Sequence, residues 1–495
     1  MTTYLTIYTA AMLTAVLATP AIARLARAWG AVDAPGIRKI HRKAIPRIGG
    51  TAIVLAMLVG MIPACVLDGG TSQALRETAD RLVVLFATSL LVFVLGFIDD
   101  IRGVRARVKL LVQVLAAVVL CLFGIRIEQA ALGWRTVELG WFAWPLTVLW
   151  VVGITNAVNL IDGLDGLAAG ICTVACGVIL ILSVYSNHVV MAILMLSLLG
   201  SLTGFLIFNF NPARVFMGDC GSMFLGFLLA ASSVMCATQS QTIVGLALPA
   251  LALGVPIFDT LFTMLRRILE RRGVMSPDHS HLHHKLLDMG LRHRHVVLLL
   301  YGLTLLAAGL GMFMMVTRDA GTLVVFACVV LLLLSVFRFV GVVSLRRTVR
   351  SLRHNLEIAQ QARQDRRQFE RSQLRMRRAA SFDGWWTAVC AAAKDMDVAR
   401  IRMRWTERDG ASRTLRWKNP APHAPPGECV RTTVPVAHRR AGPPLRIEMD
   451  VPVNGSLESA GRRLALFSRL IDENSLDSLL CRDAAAGSDP KEVPL

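Results

Sequence analysis

The sequence predicts an all-α polytopic membrane protein of about eleven transmembrane helices, followed by a cytoplasmic basic helix and a small α+β domain. Three observations carry this expectation. Of the 495 residues, 54% are hydrophobic, and the mean hydropathy is +0.55, far from the balance of a soluble chain of this length. Apolar runs of roughly 17 to 25 residues recur along the chain as far as residue 340. Beyond residue 341 the composition turns basic and polar.

The runs fall near residues 4–23, 48–67, 82–98, 108–123, 142–158, 167–185, 189–208, 222–237, 243–265, 295–316 and 320–340. The first has no basic residue ahead of it, and Arg24 and Arg27 follow at once. Despite the triplet Ala21-Ile22-Ala23, it reads as an uncleaved anchor with its N-terminus outside. Loops spanning Arg24 to Arg47, Arg102 to Lys109 and Arg266 to Arg294, with Arg214, concentrate positive charge, whereas the alternate loops hold little beyond Arg76, Arg126, Arg135 and Arg318. The first set is therefore cytoplasmic, and eleven spans bring the C-terminus to the same side. Cytoplasmic loops, anionic headgroups of the lipid bilayer and phosphorylated substrates account for the net charge of +19, so no nucleic acid is called for. The ten cysteines show no CxxC pair and no His/Cys ligand spacing, which argues against a disulfide framework or zinc site. Cys172 and Cys176 read as packing on one helix face.

Four polar clusters interrupt the apolar pattern: GFIDDIRG (96–103), NAVNLIDGLDGLAAG (156–170), NFNPARVFMGDCGS (209–222) and SPDHSHLHHKL (276–286). A topology drawn from arginine and lysine alone puts all four on the cytoplasmic face. Asp99, Asp100, Asp162, Asp165 and Asp219 would gather there, at a cost in membrane and in mutual repulsion that requires cations. A hard divalent ion, most naturally Mg²⁺, meets that need together with the basic and histidine-rich loops. Asn156, Asn159, Asp162 and Asp165 recur at every third position, side by side on a helix or tight turn. Taken alone, DGLDG is equally a helix end capped by Asn and Asp. Gly163, Gly166, Gly218 and Gly221 let backbone N–H groups approach an anion. His281, His283 and His284, with Lys285 adjacent, form a cationic anion-binding face; zinc suits the neighbouring carboxylates and phosphates less well. Asp259, inside the ninth run, stays open between site residue and helix-packing partner.

The pair Asp99-Asp100, NAVNLIDGLDGLAAG, NPARVFMGDCGS and HLHH at 281–284, in that order, resemble the polyprenyl-phosphate N-acetylhexosamine-1-phosphate transferase superfamily. Its members include the phospho-MurNAc-pentapeptide translocase and the undecaprenyl-phosphate GlcNAc-1-phosphate transferases of O-antigen (lipopolysaccharide), enterobacterial common antigen and teichoic acid synthesis. The resemblance covers residues 1 to about 340, and HLHH looks closer to the GlcNAc-phosphate branch. It implies Mg²⁺-dependent transfer, with Mn²⁺ able to substitute, of a sugar 1-phosphate from a UDP-sugar to undecaprenyl phosphate. UMP would leave at the cytoplasmic face of a bacterial inner membrane, at the start of cell-surface polysaccharide synthesis.

By this likeness Asp99 and Asp100 match the paired aspartates and Asp219 the metal-binding aspartate, so all three are candidate metal ligands. Asn159, Asp162 and Asp165 match the nucleotide-sugar motif, Phe216 a residue that stacks on uracil, and His281, His283 and His284 the histidine motif. Pro46, Gly49 and Gly50 fall in a substrate loop, with Lys43 and Arg47 nearby. One departure is Gly103, which stands where the DDxxD form of the motif has a third carboxylate. A phosphomonoester is already mostly dianionic near neutral pH, so a cation matters more than a strong base. Asp99 is the candidate for orienting or deprotonating the lipid phosphate. Direct displacement and an aspartyl-phosphate intermediate both remain open. A competing reading, an ion or proton-coupled transporter, expects carboxylates near the bilayer midplane and an internal repeat.

Beyond the last run, residues 341–380 read as a basic helical linker. Residues 381–482 read as a small cytoplasmic α+β domain: a helix bearing Trp385 and Trp386, strands at ARIRMRWTE and SRTLRWK joined across Asp409-Gly410, two more near 429–437 and 445–452, and a closing helix from about 457. Residues 483–495 read as a disordered tail. The domain has no catalytic constellation; regulation, self-association and docking of downstream glycosyltransferases stand equally.

Overall fold

The computed structural model describes residues 2–33, 44–66, 78–132, 135–240, 244–269, 281–315, 320–340, 360, 363–379, 381–406, 412–420, 429–436, 445–453 and 457–474. The chain divides into two compact units, Met1–Leu345 and Arg346–Leu495.

The first unit is helical because long apolar runs leave backbone groups no partner but one another. α1 (Thr2–Ala28) leads into a two-residue antiparallel bridge between β1 (Val32–Asp33) and β2 (Ile45–Pro46). α2 (Gly50–Val66), α3 (Ala79–Arg102) and α4 (Ala106–Leu122) follow, then a hairpin of β3 (Gln129–Leu132) and β4 (Arg135–Glu138). After it come α5 (Ala143–Ile161), α6 (Leu167–Tyr185), α7 (Val189–Asn209) and α8 (Gly218–Ser240). α9 (Val244–Ala252), α10 (Gly254–Leu269), the short α11 (Leu282–Asp288), α12 (His293–Phe313) and α13 (Ala320–Phe339) complete it.

Among the described residues, eight helices are long and apolar enough to cross a membrane, or nine if the bent pair α9–α10 is one span. This is fewer than the eleven expected. α2 and α4 have 17 residues each, which at the rise of an α-helix is about 25 Å, short of the roughly 30 Å hydrocarbon layer. The ninth run is broken rather than straight, with a bend of 75°. Leu253 at the break is fully buried, and a Cβ on Gly254 would fall 2.7 Å from Leu333 Cδ1 of α13. Phe337, also on α13, packs on Phe258 and Phe262 with ring centroids 6.1 and 5.5 Å apart. Protein therefore shields the backbone at the break.

α8 is the most enclosed of these helices: 94% of its membrane-length window is buried, against 22% for α13. It packs on α3 and α5, and glycine makes the approach possible. A Cβ on Gly96 of α3 would lie 2.6 Å from the Asp219 carbonyl oxygen, a contact that only a residue without a side chain permits.

The second unit has a four-stranded antiparallel sheet of β5 (Arg400–Thr406), β6 (Ser412–Lys418), β7 (Cys429–Val436) and β8 (Leu445–Pro452), in the order β6-β5-β8-β7. Three helices accompany it: α14 (residues 363–377), α15 (Phe382–Asp395) and α16 (Leu457–Glu473). Side chains alternate along strands, so Ile401, Met403, Ile447 and Met449 enter one core with Trp385, Val389 and Phe467. The buried Trp385 indole donates to the Asn474 carbonyl at 2.8 Å. Phe369 and Met376 of α14 join the same core, so part of the segment read as a linker belongs to this unit. The Asp409-Gly410 turn, residues 341–359 and the tail 483–495 lie outside the described residues.

Candidate active site

The site is built around the first turn of α8. Gly218 opens that helix at φ 75°, and a Cβ there would fall 1.8 Å from the Arg47 carbonyl oxygen and 2.6 Å from Asp100 Oδ2. Only glycine tolerates both the conformation and the crowding. The buried Asp100 accepts the N–H groups of Asp219 and Cys220 at 3.0 and 2.9 Å, and its Oδ1 lies 3.2 Å from Arg47 Nη2. It serves as a carboxylate cap from another helix, satisfying amides left free at the N-terminus of α8.

Asp99, its neighbour on α3, has a different fate. Its Oδ1 accepts the Val104 N–H and its Oδ2 accepts from Lys109 Nζ, each at 2.5 Å. Lys109 Nζ also lies 2.6 Å from Asp219 Oδ2. Carboxylates from α3 and α8 thus converge on one ammonium from α4. Among the described residues no group of three or more His, Cys, Asp or Glu side chains surrounds one point. The donor set is two carboxylate oxygens, which suits a hard cation such as Mg²⁺ that completes its shell with phosphate and water.

The row of four polar residues divides, because α5 ends at Ile161 and the last two members lie beyond it. Asn156 donates to Gln113 Oε1 of α4 at 2.7 Å and to the Val152 carbonyl at 2.8 Å. Asn159 donates to Ser222 Oγ at 2.9 Å, one turn along α8 from Gly218. Asp165 accepts from Asn211 Nδ2 at 2.9 Å and from the Ala213 N–H at 3.0 Å, which ties down the loop carrying the cis Asn211–Pro212 bond. Burial raises Asp162 well above the usual carboxylate range; the charges of Asp219 and Asp100 push the same way, and Arg47 opposes them. A cation in the site would lower it again.

The histidine segment also reaches this loop. A Cβ on Gly163 would lie 3.0 Å from His283 Nε2. His283 is buried and parallel to His281, with centroids 5.7 Å apart, and its ring lies 4.4 Å from that of His284. Burial, then the neighbouring His284, His281 and His293, lower its pKa to about 3, so at neutral pH it is an uncharged imidazole. Within the histidine face read as cationic, His283 is thus the member that burial holds neutral. His281 is held by Asp259, whose Oδ2 lies 2.9 Å from its Nδ1 and whose Oδ1 accepts the Leu282 N–H at 2.8 Å. Asp259 is therefore a positioning residue for the histidine segment.

Phe216 enters through its backbone. Its N–H donates to the Pro46 carbonyl at 2.7 Å, its carbonyl accepts from Gly49 at 3.0 Å, and the Gly50 N–H donates to Met217 at 2.8 Å. These bonds bind residues 45–50 to the start of α8 and bring Arg47 to Asp100. Lys43 lies outside the described residues. Lys109 entered the sequence reading only as a topological charge. A lysine at the start of an apolar run requires a partner, and that was the available signal. Tyr301, whose hydroxyl donates to the Gly166 carbonyl at 2.5 Å, had no such signal.

Residues 82–237 match the model of glycosyl transferase family 4. A probable undecaprenyl-phosphate N-acetylglucosaminyl 1-phosphate transferase of Bacillus subtilis is 40% identical over 292 residues, covering 59% of this chain and 79% of the relative. The decaprenyl-phosphate N-acetylglucosaminephosphotransferase of Mycobacterium leprae is 36% identical over 316 residues, covering 59% and 79%. The undecaprenyl-phosphate alpha-N-acetylglucosaminyl 1-phosphate transferase of Thermotoga maritima is 32% identical over 253 residues, covering 51% and 72%.

Proposed function

The chain belongs to the polyprenyl-phosphate N-acetylhexosamine-1-phosphate transferase superfamily, glycosyl transferase family 4, and from that premise we propose how its residues serve the reaction. It is an enzyme that transfers N-acetylglucosamine 1-phosphate to a polyprenyl phosphate. The donor in this proposal is UDP-GlcNAc, the acceptor is undecaprenyl phosphate, and the product starts a cell-surface polysaccharide. An oxygen of the lipid phosphate attacks the phosphorus that bears the sugar, and the bond from that phosphorus to UMP breaks.

The observation that carries this reading is the meeting of Asp99 and Asp219 on one cation position, beside Asn159 and Asp162. Two anionic phosphates must approach each other, so the first requirement is positive charge. Lys109, which pairs with both carboxylates, would yield that position to a metal ion and meet incoming phosphate. Asp99 and Asp219 would hold Mg²⁺, which when bound supplies charge neutralisation across the pyrophosphate. Arg47 flanks the site from the 45–50 segment, and neutral His283 offers a hydrogen bond without adding charge. Direct displacement is favoured because Asp99 and Asp219 share Lys109 and both Asp100 oxygens accept helix amides. A carboxylate engaged in this way is a poor nucleophile.

The topology in this proposal counts α2 and α4 as short spans and α9–α10 as one, giving eleven, with the N-terminus outside and the site at the cytoplasmic face of the inner membrane. The transporter reading is not supported: the relatives are transferases, and the aspartates cluster at helix ends. Purified protein given undecaprenyl phosphate, Mg²⁺ and a panel of UDP-sugars is expected to release UMP, fastest from UDP-GlcNAc. No release from any of them would overturn the proposal.

A further inference from the structure

The side of the second unit's sheet that faces away from its core carries an unusual pattern of charge. Ile401, Met403, Ile447 and Met449 turn to the core, so their neighbours along each strand turn outward. The register then sets three like-charged pairs directly opposite one another across strands: Arg400 and Lys418, Arg402 and Arg416, Arg404 and Arg446. Such pairs oppose sheet formation. Two carboxylates on this face offset them in part. Asp450 is shared by Arg400 at 3.4 Å and Arg431 at 2.9 Å, and Glu448 by Arg402 at 3.3 Å and Arg404 at 3.9 Å. Seven basic residues against these two acids leave a strong positive excess on one open surface, with the Arg400, Arg404 and Arg431 side chains 51%, 52% and 75% exposed.

We propose that this sheet face docks on an anionic lipid surface, the headgroups of the bilayer that holds the first unit. The like-charged pairs are arranged against their own strands and in favour of an external anion. The chain itself tethers the unit to a membrane, which raises the local concentration of headgroups around it. Nucleic acid fits less well. The outward rows contain no aromatic ring on which a base could stack, since Trp417 packs against the core. The proposal is independent of the transferase reading.

The test uses the full-length protein in lipid nanodiscs and a native reporter. Cys429 is exposed and lies two residues before Arg431 on β7, on the same face. Its reaction with a maleimide, read by peptide mass spectrometry, is expected to slow by about fivefold or more when phosphatidylglycerol replaces part of the phosphatidylcholine, and to recover in high salt. Arg416→Glu with Arg446→Glu is expected to abolish the protection, and Arg416→Lys with Arg446→Lys to keep it. Half-buried Cys390 reports folding, and if the glutamate variant unfolds, the lipid and salt comparison on the unaltered chain decides. Equal Cys429 rates in both lipids would overturn the proposal. So would protection in phosphatidylcholine alone, or protection of neutral nanodiscs by an added oligonucleotide with none from phosphatidylglycerol.

Discussion

The two units carry charge in opposite ways. In the first, a few ionised groups are withdrawn from water, and each meets a specific partner from another element: Asp100 with two amides and Arg47, Asp99 and Asp219 with Lys109. In the second, basic residues crowd an open sheet face and two acids are shared among several arginines. Buried charge is costly without a partner, so it fixes geometry; exposed charge is solvated and can be present in excess. The first arrangement suits a reaction centre, and the second a broad, adaptable contact.

The contrast predicts a graded series of effects. Asp219→Asn removes one of the two converging carboxylates, and transfer by the purified protein is expected to fall by about 10²- to 10³-fold. Full activity in that variant would remove the assignment. Chelation with EDTA is expected to stop UMP release, and added Mg²⁺ or Mn²⁺ to restore it; activity that survives chelation would leave Lys109 as the working cation. Gly218→Ala places a methyl group where the Arg47 carbonyl and Asp100 now lie. It is expected to cost about 2–3 kcal/mol, read as a lower melting temperature in detergent. Asp259→Asn weakens the hold on His281 and is expected to lower kcat/KM by about tenfold, in line with one charge-assisted hydrogen bond; an unchanged value would make that contact purely structural. At the far end, Arg400→Ala on the open sheet is expected to shift stability by no more than about 0.5 kcal/mol and to leave transfer unchanged.

Much of the architecture was legible because it rests on local pattern. Apolar runs located the helices, and the alternation Arg-Ile-Arg-Met-Arg located β5. The bend between α9 and α10 had a signal in Gly254 and Pro256, but a continuous apolar run masked it. In the site, the residue types were readable and their division of labour was not. Asp99 and Asp100 are adjacent in sequence, yet successive positions on a helix point about 100° apart. Which of the two met the α8 amides and which met Lys109 depended on how α3 crosses α8 at Gly96. The regular spacing of Asn156, Asn159, Asp162 and Asp165 suggested one ligand face, whereas the helix stops after Ile161. His283 is neutral because of burial, which three histidines in a row of four positions do not reveal.

The interrupted helix at Leu253 bears on how this protein can be shortened. Leu333 of α13 lies against Gly254 at the interruption and Phe337 packs on α10 beyond it, so α13 covers the break as well as leading to the second unit. A truncated version that ends before Ala320 would remove the side chains that cover the break. One that ends after Phe339 keeps that cover and loses only the second unit and its tether.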